Sequence, residues 1–269
     1  MRAGVILPGG TSVQQLEQAE LAEASGWDGV FVWEAGYGVD AWTLLAAMAA
    51  RTSRVRLGTV LTPLPWRRPW KLASQVATLD QLSGGRAVLT VGLGAVSADL
   101  VDTGEVTDRR TRAAMLDEGI DLMRALWSGE RSWAGEHYRV DCSDWLLGAA
   151  RPVQGRIPVW VAGLWPRPRS MARVLRCDGV LPEWSLDGRE GGPDDVRAMR
   201  TWLAEHGASD GLDVVAQGET PVDDPGAAAA QVRPWADAGC TWWLETRWGA
   251  PADDRGDEVR RRIAAGPPG

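Results

Sequence analysis

Residues 54–94 read RVRLGTVLTPLPWRRPWKLASQVATLDQLSGGRAVLTVGLG, and this stretch predicts the fold most directly. Residues 55–62 form an apolar, β-branched run, as expected of a strand that is buried on both faces. Residues 70–82 carry apolar side chains at helical spacing, and Gly84-Gly85 ends that helix because glycine tolerates the positive φ of a C-cap. Residues 86–94 form a second buried strand. Strand, helix and strand in this order predict a βαβ unit with parallel strands and a right-handed crossover.

The same alternation continues along the rest of the chain. We predict further strands at 3–7, 29–34, 158–162, 178–181, 213–217 and 241–245, and further helices at 13–25, 41–51, 107–127, 168–176, 193–206, 225–238 and 253–265. Eight strands alternating with eight helices predict an α/β protein, and specifically a closed (β/α)₈ (TIM) barrel, with an open doubly wound sheet as the alternative. Residues 128–156 break the pattern. We interpret them as an excursion inserted between helix four and strand five of a single domain, 1–269.

Composition limits the classes of function. The net charge of −7 argues against nucleic acid as a partner, because binding it needs a basic surface. No stretch reaches the ~20 apolar residues of a membrane helix, and the N-terminus lacks a secretory apolar region, so we expect a cytoplasmic protein. The three cysteines have no pair spacing, which also fits a reducing compartment. With only two histidines, His137 and His206, we expect neither a His-built metal site nor a Ser-His-Asp hydrolase.

RRPWKLA, ATLDQLSGGR and VGLG, all within 54–94, together resemble the signature of the luciferase-like flavin-dependent oxidoreductases, and the similarity extends from about Val5 to Trp248. The resemblance implies reduced FMN at the barrel mouth, monooxygenation of a small organic substrate by dioxygen, a separate flavin reductase and a homodimer. A deazaflavin coenzyme that carries hydride is the alternative within the family. Relatives commonly have Asp-His where this chain has Glu34-Ala35. That missing histidine leaves a non-catalytic flavin-binding protein as a third hypothesis.

Active sites of (β/α)₈ barrels lie at the carboxyl ends of the strands. At the end of strand five, VAGLWPRPRS (161–170) combines a glycine-bearing turn, a helix start and two arginines, which favours an anion site over a plain turn with solvated arginines. The resemblance places the cofactor phosphate there too. VGLG at 91–94 is a poor dinucleotide motif, because Ser97 stands where a third glycine is needed. We predict these cofactor contacts: Pro8, Trp33, Thr59, Val60, Thr62, Gly92, Gly94, Ala162, Gly163, Leu164, Trp165 and Arg167.

The resemblance also implies a non-prolyl cis peptide at Thr59–Val60, with an ordinary trans strand as the alternative. Glu34 and Glu245 are the predicted catalytic acids, because both follow buried strands at the expected mouth. For each, an arginine-paired structural carboxylate is the competing interpretation. Sixteen tryptophans against one phenylalanine indicate aromatic core positions and an aromatic pocket together. For the substrate pocket we predict Trp66, Trp184 and Trp243, and we predict no metal.

Overall fold

In a computed structural model, which describes residues 1–34, 36–96, 104–141, 151–249 and 255–269, the parallel strands form a closed ring. The strands are β1 Arg2–Leu7, β2 Gly29–Val32, β3 Arg56–Thr59, β4 Thr62–Pro63, β5 Ala87–Gly92, β6 Ser132–Ala134, β7 Arg139–Asp141, β8 Val159–Trp165, β9 Gly179–Trp184, β10 Asp213–Gly218 and β11 Trp242–Glu245. The ring runs β3-β2-β1-β11-β10-β9-β8-β5, and β5 pairs back onto β3 to close it. With β4 continuing β3 beyond a bulge, eight strand positions surround the axis. The predicted barrel is therefore confirmed, and the open sheet is wrong.

Helices follow the strands as the sequence predicted. They are α1 Ser12–Ala24, α2 Ala41–Arg51, α3 Pro69–Ser83, α4 Arg109–Ser128, α5 Pro168–Val174, α6 Pro193–Glu205, α7 Pro225–Asp237 and α8 Arg255–Ala264. Thr11 begins α1 with a capping box, in which its hydroxyl accepts from the Gln14 backbone. Gly84 and Gly129 end α3 and α4 in the left-handed conformation. Local sequence thus sets where these helices begin and end.

Two apolar cores lie on opposite sides of the strand wall. The interior core fills the barrel, and the outer core fills the space between strands and helices. Side chains along a strand alternate between the two because successive residues point to opposite faces. The interior core consists of Ile6, Phe31, Val88, Trp160, Leu181, Val215, Trp242 and Leu244. These eight positions fix, strand by strand, which later residues face the mouth.

The excursion between α4 and β8 contains the antiparallel pair β6–β7. Glu118 of α4 holds it, because its carboxylate accepts from Trp133 Nε1 and from the backbone N–H groups of His137 and Tyr138. Residues 142–150 of the predicted excursion lie outside the described residues. Within the described ranges, no helix has both the length and the apolar character needed to cross a bilayer.

Two strands are longer than predicted. β8 continues to Trp165 and β9 to Trp184, in register from Trp160↔Gly179 to Trp165↔Trp184. The prediction of a turn at Gly163 is therefore wrong, because main-chain pairing with β9 keeps residues 163–165 extended. This correction changes the expected geometry of the anion site.

Candidate active site at the mouth of the barrel

The inward-facing residues at the mouth follow from the interior core. On each strand the residue two positions beyond an interior residue points to the same side of the wall. Applied to Ile6, Phe31, Trp160, Leu181 and Val215, this rule gives the mouth residues Pro8, Trp33, Ala162, Glu183 and Gln217. Leu164 follows Ala162 in the same way.

The bulge between β3 and β4 forms an apolar floor on one side of the mouth. Val60 packs on the interior core, and Leu61 lies over the end of β5. A Cβ built on Gly92 would lie 2.6 Å from Leu61 Cδ1 and 3.3 Å from Ala162 Cβ, so these three residues are in close contact, and Val60 adjoins them through the interior core. They present an uncharged surface to the mouth.

Thr59 and Thr62 hold this bulge from behind. Their hydroxyl oxygens are 2.9 Å apart and both side chains are buried. The Thr59–Val60 peptide is trans, so the cis bond implied by the resemblance is not present. Among the residues that the structure describes, the only cis peptide precedes Pro166. Val60 donates its N–H to the Val32 carbonyl at 2.8 Å, which the trans chain achieves while continuing the strand pairing.

Glu34 lies behind the mouth in a buried polar cluster. Its carboxylate accepts from the Thr62 hydroxyl at 2.7 Å and from Trp42 Nε1 at 3.3 Å, and it forms an ion pair with Arg67. Its side chain is only 9% exposed, whereas that of Arg67 is 28% exposed. Burial raises the pKa of Glu34, outweighing the opposing effects of Arg67 and the two hydrogen bonds. In the structure Glu34 is an arginine-paired carboxylate that braces the bulge through Thr62.

A raised pKa makes the stability contribution of Glu34 pH-dependent in a definite direction. Above its ordinary value of 4.5, the unfolded chain releases the proton while the folded chain retains it. We therefore expect the wild type to lose stability relative to Glu34→Gln as pH rises above 4.5, with a limiting slope of about 1.4 kcal/mol per pH unit until the folded protein also releases the proton. Urea unfolding of both proteins at several pH values measures this. If the difference in unfolding free energy stays constant with pH, or if the wild type gains stability relative to the variant, Glu34 does not have a raised pKa in the folded protein.

Glu245 is fully buried on the outer side of the wall. Its carboxylate accepts from the Thr220 backbone N–H and hydroxyl at 2.8 Å each and from Trp243 Nε1 at 3.1 Å. Arg247 and Arg262 pair with it at 3.4 and 3.3 Å. These contacts saturate its oxygens and point them away from the mouth. The structure therefore gives Glu245 a structural environment and does not bring it together with the mouth residues.

The region after β8 differs from the predicted phosphate cradle. Gly163 faces the outer core, where a Cβ would lie 2.8 Å from Val180 Cγ2. The Leu164 N–H is already used, because it donates to the Ser170 hydroxyl at 2.9 Å. Arg167 remains at the surface and donates to the Ser185 hydroxyl at 3.0–3.2 Å. Arg169 is exposed, and within the described part of the chain we find no hydrogen bond or ion pair to it. Arg167 and Arg169 are charged and exposed, so they suit an anionic tail, whereas Gly163 faces the outer core and does not.

Gly94 and Trp66 lie together beside the mouth. Gly94 has φ +75°, and a Cβ there would lie 2.4 Å from Trp66 Cζ3. The guanidinium of Arg112 lies 5.5 Å from the Trp66 ring centroid and donates to the Leu93 and Gly94 carbonyls at 2.9 Å. Trp66 therefore packs against the loop after β5 and braces it.

Three predicted tryptophans need correction. Trp243 is 1% exposed in the outer core, and Trp184 packs against Gly191, whose Cβ would lie only 2.0 Å from its ring. Trp165 also points outward, with its ring centroid 6.2 Å from that of Trp202. Successive side chains of a strand point to opposite faces, and all three tryptophans are at positions that point outward, toward the helices. None of the three lines the mouth.

Trp33 is the predicted aromatic residue that does reach the mouth. It is 44% exposed, and its Nε1 donates to the Pro8 carbonyl at 3.0 Å. A cavity of about 260 Å³ lies beside it, between the loops that follow β1 and β2. Its lining includes Pro8, Gly9, Gly10, Trp33, Tyr37 and Leu44. This cavity has room for a small apolar group next to the mouth.

Sequence reasoning missed three mouth residues, Leu61, Glu183 and Gln217. Leu61 lies between two predicted cofactor contacts, but its direction depends on the bulge. Glu183 lies two residues beyond the predicted strand end at Leu181, and which side of the wall it faces depends on the true length of β9. Extending β9 through Trp184, with Leu181 pointing inward, would have shown that Glu183 also points inward.

Similarity to known proteins identifies the family of this chain. The luciferase-like monooxygenase family model matches residues 3–265. The chain belongs to this family. A Mycobacterium tuberculosis relative, assigned provisionally as a coenzyme F420-dependent oxidoreductase, is 34% identical over 238 residues, which cover 81% of this chain and 65% of that protein. The F420-dependent glucose-6-phosphate dehydrogenase of Nakamurella multipartita is 35% identical over 63% of this chain and 53% of its own. The crystal structure of the Streptomyces bottropensis monooxygenase RslO1 has a TM-score of 0.76 at 21% identity, covering 98% of both chains.

The luciferase-like family consists of oxidoreductases and monooxygenases. The relatives of this chain include proteins named as deazaflavin-dependent enzymes. The described mouth fits the planar ring that such cofactors share. Val60, Leu61, Gly92 and Ala162 form a surface without charge, and Gly92 adds no side chain above it. Arg169 is exposed in the first turn of α5, the helix that follows β8, where a guanidinium could pair with an anionic tail.

Proposed function

We propose that this protein is a deazaflavin-dependent oxidoreductase that transfers hydride between coenzyme F420 and a small organic substrate. The observation that carries this proposal is the 34% identity, over 81% of the chain, to the mycobacterial relative assigned to coenzyme F420. The dehydrogenase from Nakamurella multipartita supports the same cofactor. When bound, the deazaflavin supplies the hydride chemistry, and the protein supplies binding and orientation.

The residues of the mouth divide this work. The floor of Val60, Leu61, Gly92 and Ala162 orients the ring and excludes water from its inner face. Thr59 and Thr62 keep the floor in place through their hydroxyl contact, and Glu34 holds Thr62. The substrate enters on the opposite face, beside Trp33 and the adjoining cavity.

An FMN-dependent monooxygenase is the second candidate. The specific observation that favours it is the family description itself, luciferase-like monooxygenase, which matches nearly the whole chain. Against it, Trp33 is substantially exposed and the polar mouth residues Glu183 and Gln217 are open to solvent. Hydride transfer between two organic molecules depends less than oxygen activation on a fully dry site.

Cofactor titration decides between these candidates. We expect the purified protein to bind the deazaflavin coenzyme at least about tenfold more tightly than FMN, measured by quenching of the fluorescence of each cofactor. Leu61→Asp should weaken deazaflavin binding about tenfold or more, because it places a charge on the apolar floor. Leu82→Asp is the matched control, since Leu82 is 54% exposed on α3, and it should bind as the wild type does.

The opposite preference, FMN over deazaflavin, would establish the second candidate instead. Failure to bind either cofactor would overturn the proposal. Equal binding by both leucine variants would show that the ring does not lie on the floor. Binding of the deazaflavin without turnover of any alcohol, aldehyde or sugar tested would favour a non-catalytic binding protein.

A further inference from the structure

Glu183 occupies a position at the mouth that the proposed function does not yet use. It lies on β9 two residues beyond Leu181, which belongs to the interior core, so its side chain faces inward. Its register partner on β8 is Leu164, which also faces the mouth. Gln217 has the equivalent position on β10, two residues beyond interior Val215. Glu183 and Gln217 therefore make one side of the mouth polar, on the strands that follow the Ala162 end of the apolar floor around the ring.

This carboxylate differs from the other partly or fully buried glutamates. Glu23, Glu118 and Glu245 each accept at least three hydrogen bonds from the protein. Glu183 has no hydrogen bond or ion pair to any residue whose side chain the structure describes. It is exposed to solvent, yet desolvation by the surrounding protein atoms raises its pKa. Such a combination is expected for a group inside a concave mouth.

Two cations in the segments that follow β8 and β9 have other partners, and the exposed Arg169 forms no ion pair with Glu183. Arg167 donates to the Ser185 hydroxyl, and Arg189 forms an ion pair with Asp195 at 2.6 Å. The sequence outside the described ranges, namely 35, 97–103, 142–150 and 250–254, contains no lysine, arginine or histidine. These segments therefore supply no counter-charge for Glu183. The carboxylate of Glu183 is therefore free of partners among the described side chains and open to a bound molecule.

We propose that Glu183 is the specificity-determining residue of the mouth, where it accepts a hydrogen bond from a cationic or hydroxyl-bearing substrate and rejects anionic ones. A partly desolvated carboxylate favours a donor and is repelled by a second negative charge, so it discriminates in both directions. The substrate class thus differs from the sugar phosphate that names the Nakamurella multipartita relative. This inference rests on the proposed function for the reaction but concerns the substrate alone.

The test uses three probes of matched size, n-butylammonium, n-butanol and n-butyrate, and measures their dissociation constants by ligand-observed NMR at constant ionic strength. We expect the wild type to bind butylammonium about fivefold or more tightly than butyrate, with butanol between them. Glu183→Gln should bring the three probes within about twofold of one another, and Glu183→Lys should reverse their order. Glu190→Gln removes the same charge from an exposed position in the following loop, and it should keep the wild-type order.

Equal binding of the three probes by the wild type, or an unchanged order in Glu183→Gln, would overturn the inference. The measurement is made with and without deazaflavin, so it does not depend on cofactor binding. If the coenzyme fails to bind while the probe order holds, the proposed function is wrong and the role of Glu183 stands. If the coenzyme binds while the probe order fails, the reverse conclusion follows.

Discussion

Replacement of Glu245 by glutamine is expected to lower the free energy of unfolding by about 3–5 kcal/mol. The carboxylate is fully buried, and it pairs with Arg247 and Arg262, whose side chains are only 8% and 3% exposed. Removing its charge leaves two guanidinium groups in the outer core without their main counter-charge. The amide also brings an N–H to a site where Thr220 and Trp243 already donate. Urea denaturation followed by circular dichroism measures the loss.

Glu219→Gln is the matched control for this experiment. Glu219 also pairs with Arg247, at 3.5 Å, but its side chain is 45% exposed and water screens the interaction. We expect its unfolding free energy to change by less than about 1 kcal/mol. If Glu245→Gln is as stable as this control, the buried network does not hold β11 to α8 as the contacts indicate.

The barrel could be predicted because its information is local and repeated. Each strand is a short apolar run, each helix has its own start and stop residues, and eight repetitions leave few alternatives. Gly84 ends α3 as predicted, and α2 begins at the predicted residue 41, where the side chain of Asp40 accepts from the Thr43 backbone. The strand ends identified the mouth for the same reason. Pro8, Trp33, Val60 and Ala162 were predicted from these ends and face the mouth, and their contact with a cofactor remains a prediction.

The direction of individual side chains could not be predicted, because it depends on strand parity. An error of one residue in register moves a side chain to the other face of the wall. Trp243 and Glu245 were expected at the mouth, yet both lie on the outer side of the wall, whereas Leu244, between them in the sequence, faces the interior core. Glu183 is the converse case: it faces the mouth only because β9 continues beyond the predicted end at Leu181.

The partners of buried charges were also beyond the sequence. Glu34 meets Arg67 across 33 positions and Glu245 meets Arg262 across 17, and neither spacing belongs to a recurring local motif. The barrel brings these groups together only when it closes. The homodimer implied by the resemblance remains a prediction for the same reason, since it depends on contacts between chains.

Substitution of Gly58 by alanine is expected to destabilise the barrel by about 3 kcal/mol or more, because the added Cβ would lie 2.2 Å from the Val88 carbonyl oxygen. Gly58↔Val88 is one of the two residue pairs that join β3 to β5 and close the ring. The obstructing atom belongs to the backbone, so relief requires the strands to separate, and Phe31 of the interior core blocks movement at 3.4 Å.

Gly211→Ala is the control, since the nearest atom to its Cβ is Ser209 Oγ at 3.8 Å, and it should change stability by less than about 1 kcal/mol. Urea unfolding of the two variants compares them directly. Equal stability would mean that β3 and β5 do not approach each other closely enough to close the barrel at this seam.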